Sequence, residues 1–282
     1  MPRICIVADI HHGADTGTKR GSAASRLMAD FSALCAAENP DLVIDLGDRI
    51  SDADHDADIV LEREAKAMFA PIAQPVHHLC GNHDRDFLSI AENEDILGQT
   101  LSNETIDAGG WTLVLFRADA KFHRASGRPH SFAMLQHDLE WLADVIAGAT
   151  QPLAIFSHVP LSGHDQNGNY YFENNPDASR YPETIRIREV LEAAQVPVVC
   201  IAGHVHWNTL TTLNGIPHVT IQSLTETFTT YPEPAGAMAV LELGEDEIAL
   251  DVRGLDAFGV RLPVQQAARR WLTPRPPAAK CG

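Results

Sequence analysis

An α/β fold, with two packed β-sheets in one domain and helices outside them, follows from three features of the sequence. Short apolar runs rich in β-branched residues alternate with segments of helical periodicity as far as Gly203, the pattern of βαβ units and a mostly parallel sheet. Beyond that point helical periodicity stops and hairpin signals take over, so later strands pair antiparallel in a mixed or second sheet. No internal repeat and no linker divides the 282 residues. One domain over 1–262 is therefore expected, followed by a tail over 263–282 rich in Pro, Arg and Ala, with the character of an arm or a frayed end.

The elements follow in order. Residues 3–9, RICIVAD, form the first strand. Within 22–38, Ala24, Leu27, Met28, Phe31, Leu34 and Cys35 recur at helical spacing. Ser22 can cap this helix and Asn39-Pro40 ends it. Residues 41–48 form the second strand, 56–70 a helix stopped by Pro71, 75–80 the third strand and 85–97 a further helix. Gly109-Gly110 turns a hairpin within 104–119. Leu135, Leu139, Leu142 and Ile146 mark a helix, 152–158 a strand, 183–195 a helix and 196–203 a strand. Asn214-Gly215 between two β-rich runs is a strong hairpin signal, and 236–243 and 247–254 are two more strands.

Composition narrows the function. Apolar residues make up 45% and charged residues 21%, ordinary globular usage that can bury a sizeable core. A net charge of −17 repels a long polyanion, so small substrates are expected and long nucleic acid is not. Cys5, Cys35, Cys80, Cys200 and Cys281 are odd in number and contain no CxxC, which fits a reducing compartment rather than a disulfide framework. No charged n-region precedes a long apolar stretch, and no run approaches the ~18 apolar residues of a membrane span. The expectation is a soluble cytoplasmic protein without a membrane partner. The late hairpins and the basic tail are where a homo-oligomer contact would form.

Chemistry-bearing residues collect where strands end. The first strand runs into ADIHHG with Asp9 and His11, the second into GDRISD with Asp48, and the third into GNHD with Asn82 and His83. Later strands run into FSHVPL with His158 and GHVH with His204 and His206. Ligands of open α/β sheets bind beyond the carboxyl ends of the strands, so these groups would meet in one pocket. Asp, Asn and His without thiolate are oxygen and nitrogen donors suited to Mn, Fe, Co or Zn. Seven such side chains exceed the usual set of a single open site. Two ions sharing one carboxylate fit better, an arrangement that clamps phosphoryl groups.

The five blocks DIH, GD, GNHD, H and GHVH, in this order from Asp9 to His206, resemble the signature of the calcineurin-like metallophosphoesterases. The continuation GHVH…NGIP is most similar to the bacterial branch with cyclic-nucleotide and glycerophosphodiester phosphodiesterases. The resemblance implies a four-layer αββα sandwich with two mixed sheets flanked by helices. It implies that Asp9, His11 and His206 hold one metal, that Asn82, His158 and His204 hold the other, and that Asp48 bridges them. His83 would stay off the metals as general acid or stabiliser of phosphoryl charge, with Asp84 orienting the ligand loop and Gly81 permitting a sharp turn. The implied reaction is hydrolysis of small phosphodiesters (glycerophosphodiester, cyclic nucleotide or phosphonate monoester) by a hydroxide bridging two divalent transition metal ions. A phosphomonoesterase on the same site, a nuclease and a non-catalytic scaffold are the alternatives. The acidic charge speaks against the nuclease and the complete ligand set against the scaffold. The family often reads GDxxD, whereas here Ser51 takes the last position and the acid, Asp52, comes one residue later.

Around this set, Lys19 and Arg20 follow the first ligand loop and could meet substrate phosphate; Arg124 and Arg128 have the same standing. Tyr170, Tyr171 and Asn174 lie in an aromatic, amide-rich loop over 163–182 that could hold the alcohol part of a substrate or form an oligomer contact. His12 reads as a rim residue. His77 and His78 read as structural residues on opposite faces of a strand.

Overall fold

The computed structural model describes residues 1–122 and 132–266. Arg124, Arg128 and the tail beyond Gln266 lie outside the described residues. The chain starts with β1 (Arg3–Val7) and passes through a 3-10 turn, Gly21–Ala23, into α1 (Ala24–Glu38). β2 (Leu42–Asp45), α2 (His55–Phe69), β3 (Val76–His78), the one-turn α3 (Asn82–Arg85) and α4 (Ile90–Leu97) follow. Next come β4 (Glu104–Ala108), β5 (Trp111–Leu115), α5 (Gln136–Gly148), β6 (Leu153–Ser157), α6 (Thr184–Leu191) and β7 (Val198–Ala202). The chain closes with β8 (Thr209–Leu213), β9 (Ile216–Thr220), β10 (Met238–Leu243), β11 (Glu247–Arg253) and β12 (Phe258–Pro263).

Local chemistry sets the helix ends. Asn39 closes α1 in the left-handed region, ahead of Pro40. Its start differs from expectation: Ala23 is the N-cap without a side-chain bond, and Ser22 instead donates its backbone N–H to Asp15. Asp54 caps α2 through Ala57 N–H. The helix expected over 85–97 is divided. Ser89 and Glu92 form a capping box that starts α4 afresh, and 82–85 become a separate turn that carries the GNHD residues.

Both sheets have six strands and both are mixed. Their orders are β12-β11-β10-β1-β2-β3 and β4-β5-β6-β7-β9-β8. β1, β2 and β3 run parallel, while β10 joins β1 antiparallel and continues into the meander to β12. In the second sheet β5, β6, β7 and β9 run parallel, with β4 and β8 antiparallel at the edges. The hairpins at Gly109-Gly110 and Asn214-Gly215 fall where the turn residues place them. β12 has no counterpart among the expected elements. It is an edge strand with Val260 as its one buried side chain, so its apolar signal is weak.

Alternation along the strands builds the layers. Ile4 and Ile6 of β1 face the second sheet, where Leu113, Phe156 and Ile201 complete the core between the sheets. Cys5 and Val7 face the other way, onto Met28, Phe31 and Cys35 of α1. On the far side, Val114 and Ile155 pack under Leu142 of α5 and Ile187 of α6. The result is helix, sheet, sheet, helix, and the central strands are apolar on both faces because both faces are covered. Phe156 is fully buried between the sheets. Phe156→Ala is expected to cost about 3–5 kcal/mol, read as a lower urea midpoint with an unchanged m-value.

Candidate active site

Asp9 and His11 follow β1, Asp48 follows β2, Asn82 opens α3, His158 follows β6, and His204 and His206 follow β7. The parallel strands of both sheets bring these residues to one edge. Candidate ligand atoms of Asp9, His11, Asp48 and His206 lie within 4.8 Å of one another, and so do those of Asp48, His158 and His204. Asp48 belongs to both groups. Asn82 Oδ1 joins the second, 3.3 Å from His158 Nε2. Across the first group, His11 Nε2 is 2.9 Å from His206 Nε2, and His206 Nε2 is 3.4 Å from Asp9 Oδ1. The structure thus brings together all seven residues expected to gather.

Three of the four imidazoles are held from behind. His158 Nδ1 donates to the Leu46 carbonyl at 2.8 Å. His206 Nδ1 donates to Glu226 Oε2 at 3.0 Å, and His204 Nε2 donates to the Ala178 carbonyl at 2.8 Å. That leaves His204 Nδ1 buried and without a partner, as is Nδ1 of the fourth ring, His11. Anchoring one ring nitrogen while freeing the other is how proteins orient metal-binding histidines. Burial penalises charge throughout the cluster. It prevails at His204, pushed down to about 3 with help from His158. At His158 and His206 the carboxylates of Asp48 and Asp9 outweigh burial and hold the rings up at about 9. A buried pocket whose carboxylates call for compensating positive charge, lined by oxygen and imidazole donors, fits divalent transition ions.

The backbone bends to make this arrangement. Eight non-glycine residues have positive φ among the described residues, and Asp9, His11, Asp48, His204 and His206 are five of them. Such conformations are costly for non-glycine residues, and they concentrate where function requires them. Glycines supply the space. A Cβ at Gly203 would lie 2.6 Å from Asp9 Oδ2, and one at Gly81 would overlap Asp48 and His158. Gly81 itself has φ of −97°, so it is needed for close approach and not for the turn expected of it.

Below the cluster lies a charged layer of which Asp84 alone was expected. Asp84 accepts from the backbone N–H groups of Asp48, Arg49 and Gly81, each at 2.8 Å. It thereby ties the loop after β2 to the turn after β3. Arg49 is fully buried and reaches Asp45 at 2.9 Å, Glu62 at 2.5 Å and Asp84 at 3.3 Å. One guanidinium cannot neutralise three buried carboxylates, so the group retains a proton. Burial pushes Glu62 up to about 8 and Asp84 up to about 6. On the other side, Ser223 Oγ donates to the Asp9 carbonyl at 2.7 Å and Thr225 Oγ1 to the Ile10 carbonyl at 3.1 Å. Single polar residues in a loop carry no spacing code, so Arg49, Glu62, Ser223 and Thr225 show as supports only in three dimensions.

A cavity of about 560 Å³ opens beside the cluster. His83 lines it, off the ligand groups, with Nδ1 bonded to Asp52 Oδ1. The displaced acid of GDRISD therefore still reaches the histidine. Lys19 also lines the cavity, its Nζ 3.4 Å from His83 Nε2. Arg20 does not line it, and its guanidinium donates to the Gly17 carbonyl. Tyr170 and Tyr171 line the cavity, whereas Asn174 is exposed on the 3-10 turn Phe172–Asn174 and stays outside. The amide of that loop which does reach the cavity is Asn169, with Nδ2 donating to the Val205 carbonyl at 2.8 Å. His12 bonds Glu64 at 2.8 Å, and His78 bonds Asp45 at 2.9 Å, both away from the ligand groups.

A two-sheet sandwich whose strand ends converge on Asp and His groups sharing one carboxylate is the framework of a two-metal phosphoesterase. A family model described as Calcineurin-like phosphoesterase matches residues 2–208, and the chain belongs to that family. No curated protein matches the chain. Among solved structures it is similar in fold to a dimetal phosphatase from Danio rerio, with 19% identity and a TM-score of 0.75 over 94% of this chain and 100% of that one. GAP50, the anchor in the inner membrane complex of Plasmodium, has 11% identity and a TM-score of 0.59, over 95% of this chain and 90% of that one. The protein TT1561 of Thermus thermophilus has 11% identity and a TM-score of 0.54, over 90% and 99%. No helix of the described residues is long and apolar enough to cross a membrane.

Two outcomes are expected. Gly81→Ala drives a methyl group into Asp48 and His158, so manganese bound per chain, measured by elemental analysis after reconstitution, falls well below wild type. Glu62 has a folded pKa raised above its unfolded value, so the folded state binds the extra proton. Its contribution makes stability decline as pH rises from about 4.5 through about 8. Glu62→Gln is expected to flatten that decline in urea midpoints measured from pH 5 to 9.

Proposed function

We propose that this protein hydrolyses small phosphodiesters, glycerophosphodiesters, cyclic nucleotides or phosphonate monoesters, with two divalent transition ions, as in the bacterial phosphodiesterase branch it resembles. The carrying observation is the pair of ligand groups sharing Asp48, beside a cavity far larger than a phosphate. Asp9, His11 and His206 would hold one ion, Asn82, His158 and His204 the other, and Asp48 would serve both. Bound Mn, Fe, Co or Zn supplies Lewis acidity and a water activated near neutral pH.

The protein's own groups do the rest. Asp52 fixes the His83 ring through Nδ1, leaving Nε2 on the cavity side beside Lys19, where the ring in its imidazolium form protonates the leaving oxygen or stabilises phosphoryl charge. Lys19 faces the phosphoryl oxygens. Asp84 keeps Asp48 and Gly81 in register. Tyr170 and Tyr171 stand where the alcohol part leaves the metal end.

Charge favours a diester over a monoester. Lys19 is the one Lys or Arg among the described cavity residues, where Asp52, Asp86 and Glu226 also stand. A dianionic monoester would gain from a second cation, and Arg20 turns away. The four described cysteines, Cys5, Cys35, Cys80 and Cys200, are free and buried, which supports a reducing cytoplasmic setting.

The test is kcat/KM on bis(p-nitrophenyl) phosphate and p-nitrophenyl phosphate after reconstitution with each metal. Diester preference is expected, and His83→Ala is expected to lower kcat by roughly 10²- to 10⁴-fold while the metal content stays at the wild-type level. Monoester preference would move the assignment to a phosphatase. Failure to bind any transition metal would leave a scaffold.

A further inference from the structure

The cavity has two ends of different chemistry. One holds the Asp and His groups, His83 and Lys19. The other is aromatic, with Phe122, Tyr170, Tyr171, Phe172 and Phe228 on its wall. Tyr170 is 63% exposed and Tyr171 51% exposed. Aromatic surface left in water is unfavourable, and gathered at the mouth of a cavity it marks a place where a ligand covers it.

The arrangement of the rings says what shape of ligand. Tyr170 and Phe228 come from separate loops, yet their planes are only 20° apart, with centroids at 6.1 Å. Trp207 braces Phe228 edge-on, at 76° and 6.4 Å. The Phe228 loop is held in turn, because Glu226 Oε1 accepts from the N–H groups of Thr227 and Phe228 at 2.7 and 3.2 Å. The two rings stack on each other, so the outer face of Tyr170 is left as a flat platform, which suits a flat ring. A rounded quaternary ammonium group is gripped by rings set around it at steep angles, with negative charge close by. Here the nearby carboxylates are engaged, Glu226 with His206 and Asp52 with His83.

We infer that the organic group of the substrate is a flat heteroaromatic ring of nucleobase size, stacked on the exposed face of Tyr170, which Phe228 backs. This deepens the phosphoesterase reading above and rests on it for the position of the phosphate. Phe172 of the aromatic wall lies against His204, with centroids at 5.1 Å, and Tyr170 stands two residues before it, at the exposed mouth of the cavity. A spacer is therefore required between phosphorus and ring, and the sugar of a nucleoside is such a spacer. A cavity of about 560 Å³ has room for all three parts. Glycerol esters would leave the rings uncovered.

The experiment is calorimetric binding of adenosine 5′-monophosphate, glycerol 1-phosphate and phosphocholine to the manganese-loaded full chain. The three carry the same phosphoryl group. The adenosine ester is expected to bind roughly 10- to 100-fold tighter than the glycerol ester, the range that stacking on one or two rings provides. Tyr170→Ala and Phe228→Ala should each remove most of that ratio, and Tyr170→Phe should keep it, with thermal midpoints confirming that the variants fold. Equal affinities, a ratio that survives both alanine variants, or phosphocholine binding as tightly as the adenosine ester would overturn the inference. The two readings fail separately. Ring preference without turnover of any ester sinks the hydrolase assignment alone, and turnover without ring preference sinks the nucleobase assignment alone.

Discussion

A fully buried carboxylate, Asp48, has to stay charged among imidazoles contributed by both sheets. Its own backbone is bent into the left-handed region to bring it there, and its N–H is held by Asp84. Asp84 is held in turn by Arg49, a guanidinium without solvent contact. Removing one member of such a chain leaves uncompensated charge in a low-dielectric interior, which is costlier than never having buried it. The position of the shared carboxylate therefore depends on a second layer of charge beneath it, and that layer depends on the packing of α2, which supplies Glu62, against the loops after β2 and β3.

Strain and space are balanced at the same edge of the sandwich. Five site residues adopt backbone conformations that most side chains avoid, while Gly81 and Gly203 give up their side chains so that Asp48, His158 and Asp9 can approach. The loop from Gln222 to Thr227 answers from the other side. Its serine and threonine hydroxyls take up the carbonyls of Asp9 and Ile10 that the bent backbone exposes. Rigidity here comes from satisfied buried hydrogen bonds. The apolar core between the sheets supplies the base on which they are built.

The outer part of the cavity is of another kind. Its residues sit on loops after strand ends, where sequence can vary without disturbing the core. Lys19, Tyr170 and Phe228 come from three such loops. That division keeps the Asp and His groups on strand ends of the sandwich and leaves the outer wall of the cavity to the loops.

Much was determined by the sequence alone. The two hairpins, the parallel strands and the seven clustered residues were legible because each carries a local signal: turn dipeptides, runs apolar on both faces, and glycine-flanked Asp, Asn and His at strand ends. The division of the 85–97 segment was also written locally, in the Ser89–Glu92 capping box, but helical periodicity obscured it. Tertiary structure alone decided the rest. Lys19 enters the cavity while its neighbour Arg20 folds back on Gly17, a choice made by the loop as a whole. Asp52 reaches His83 although the acid is displaced by one residue, because the two loops meet in space. Asn169 supports the cavity wall and Asn174 does not, and Arg49, Asp45 and Glu62 form one charged layer from three elements. Such pairings have no sequence period, since they depend on distances between segments that only the packed sandwich brings together.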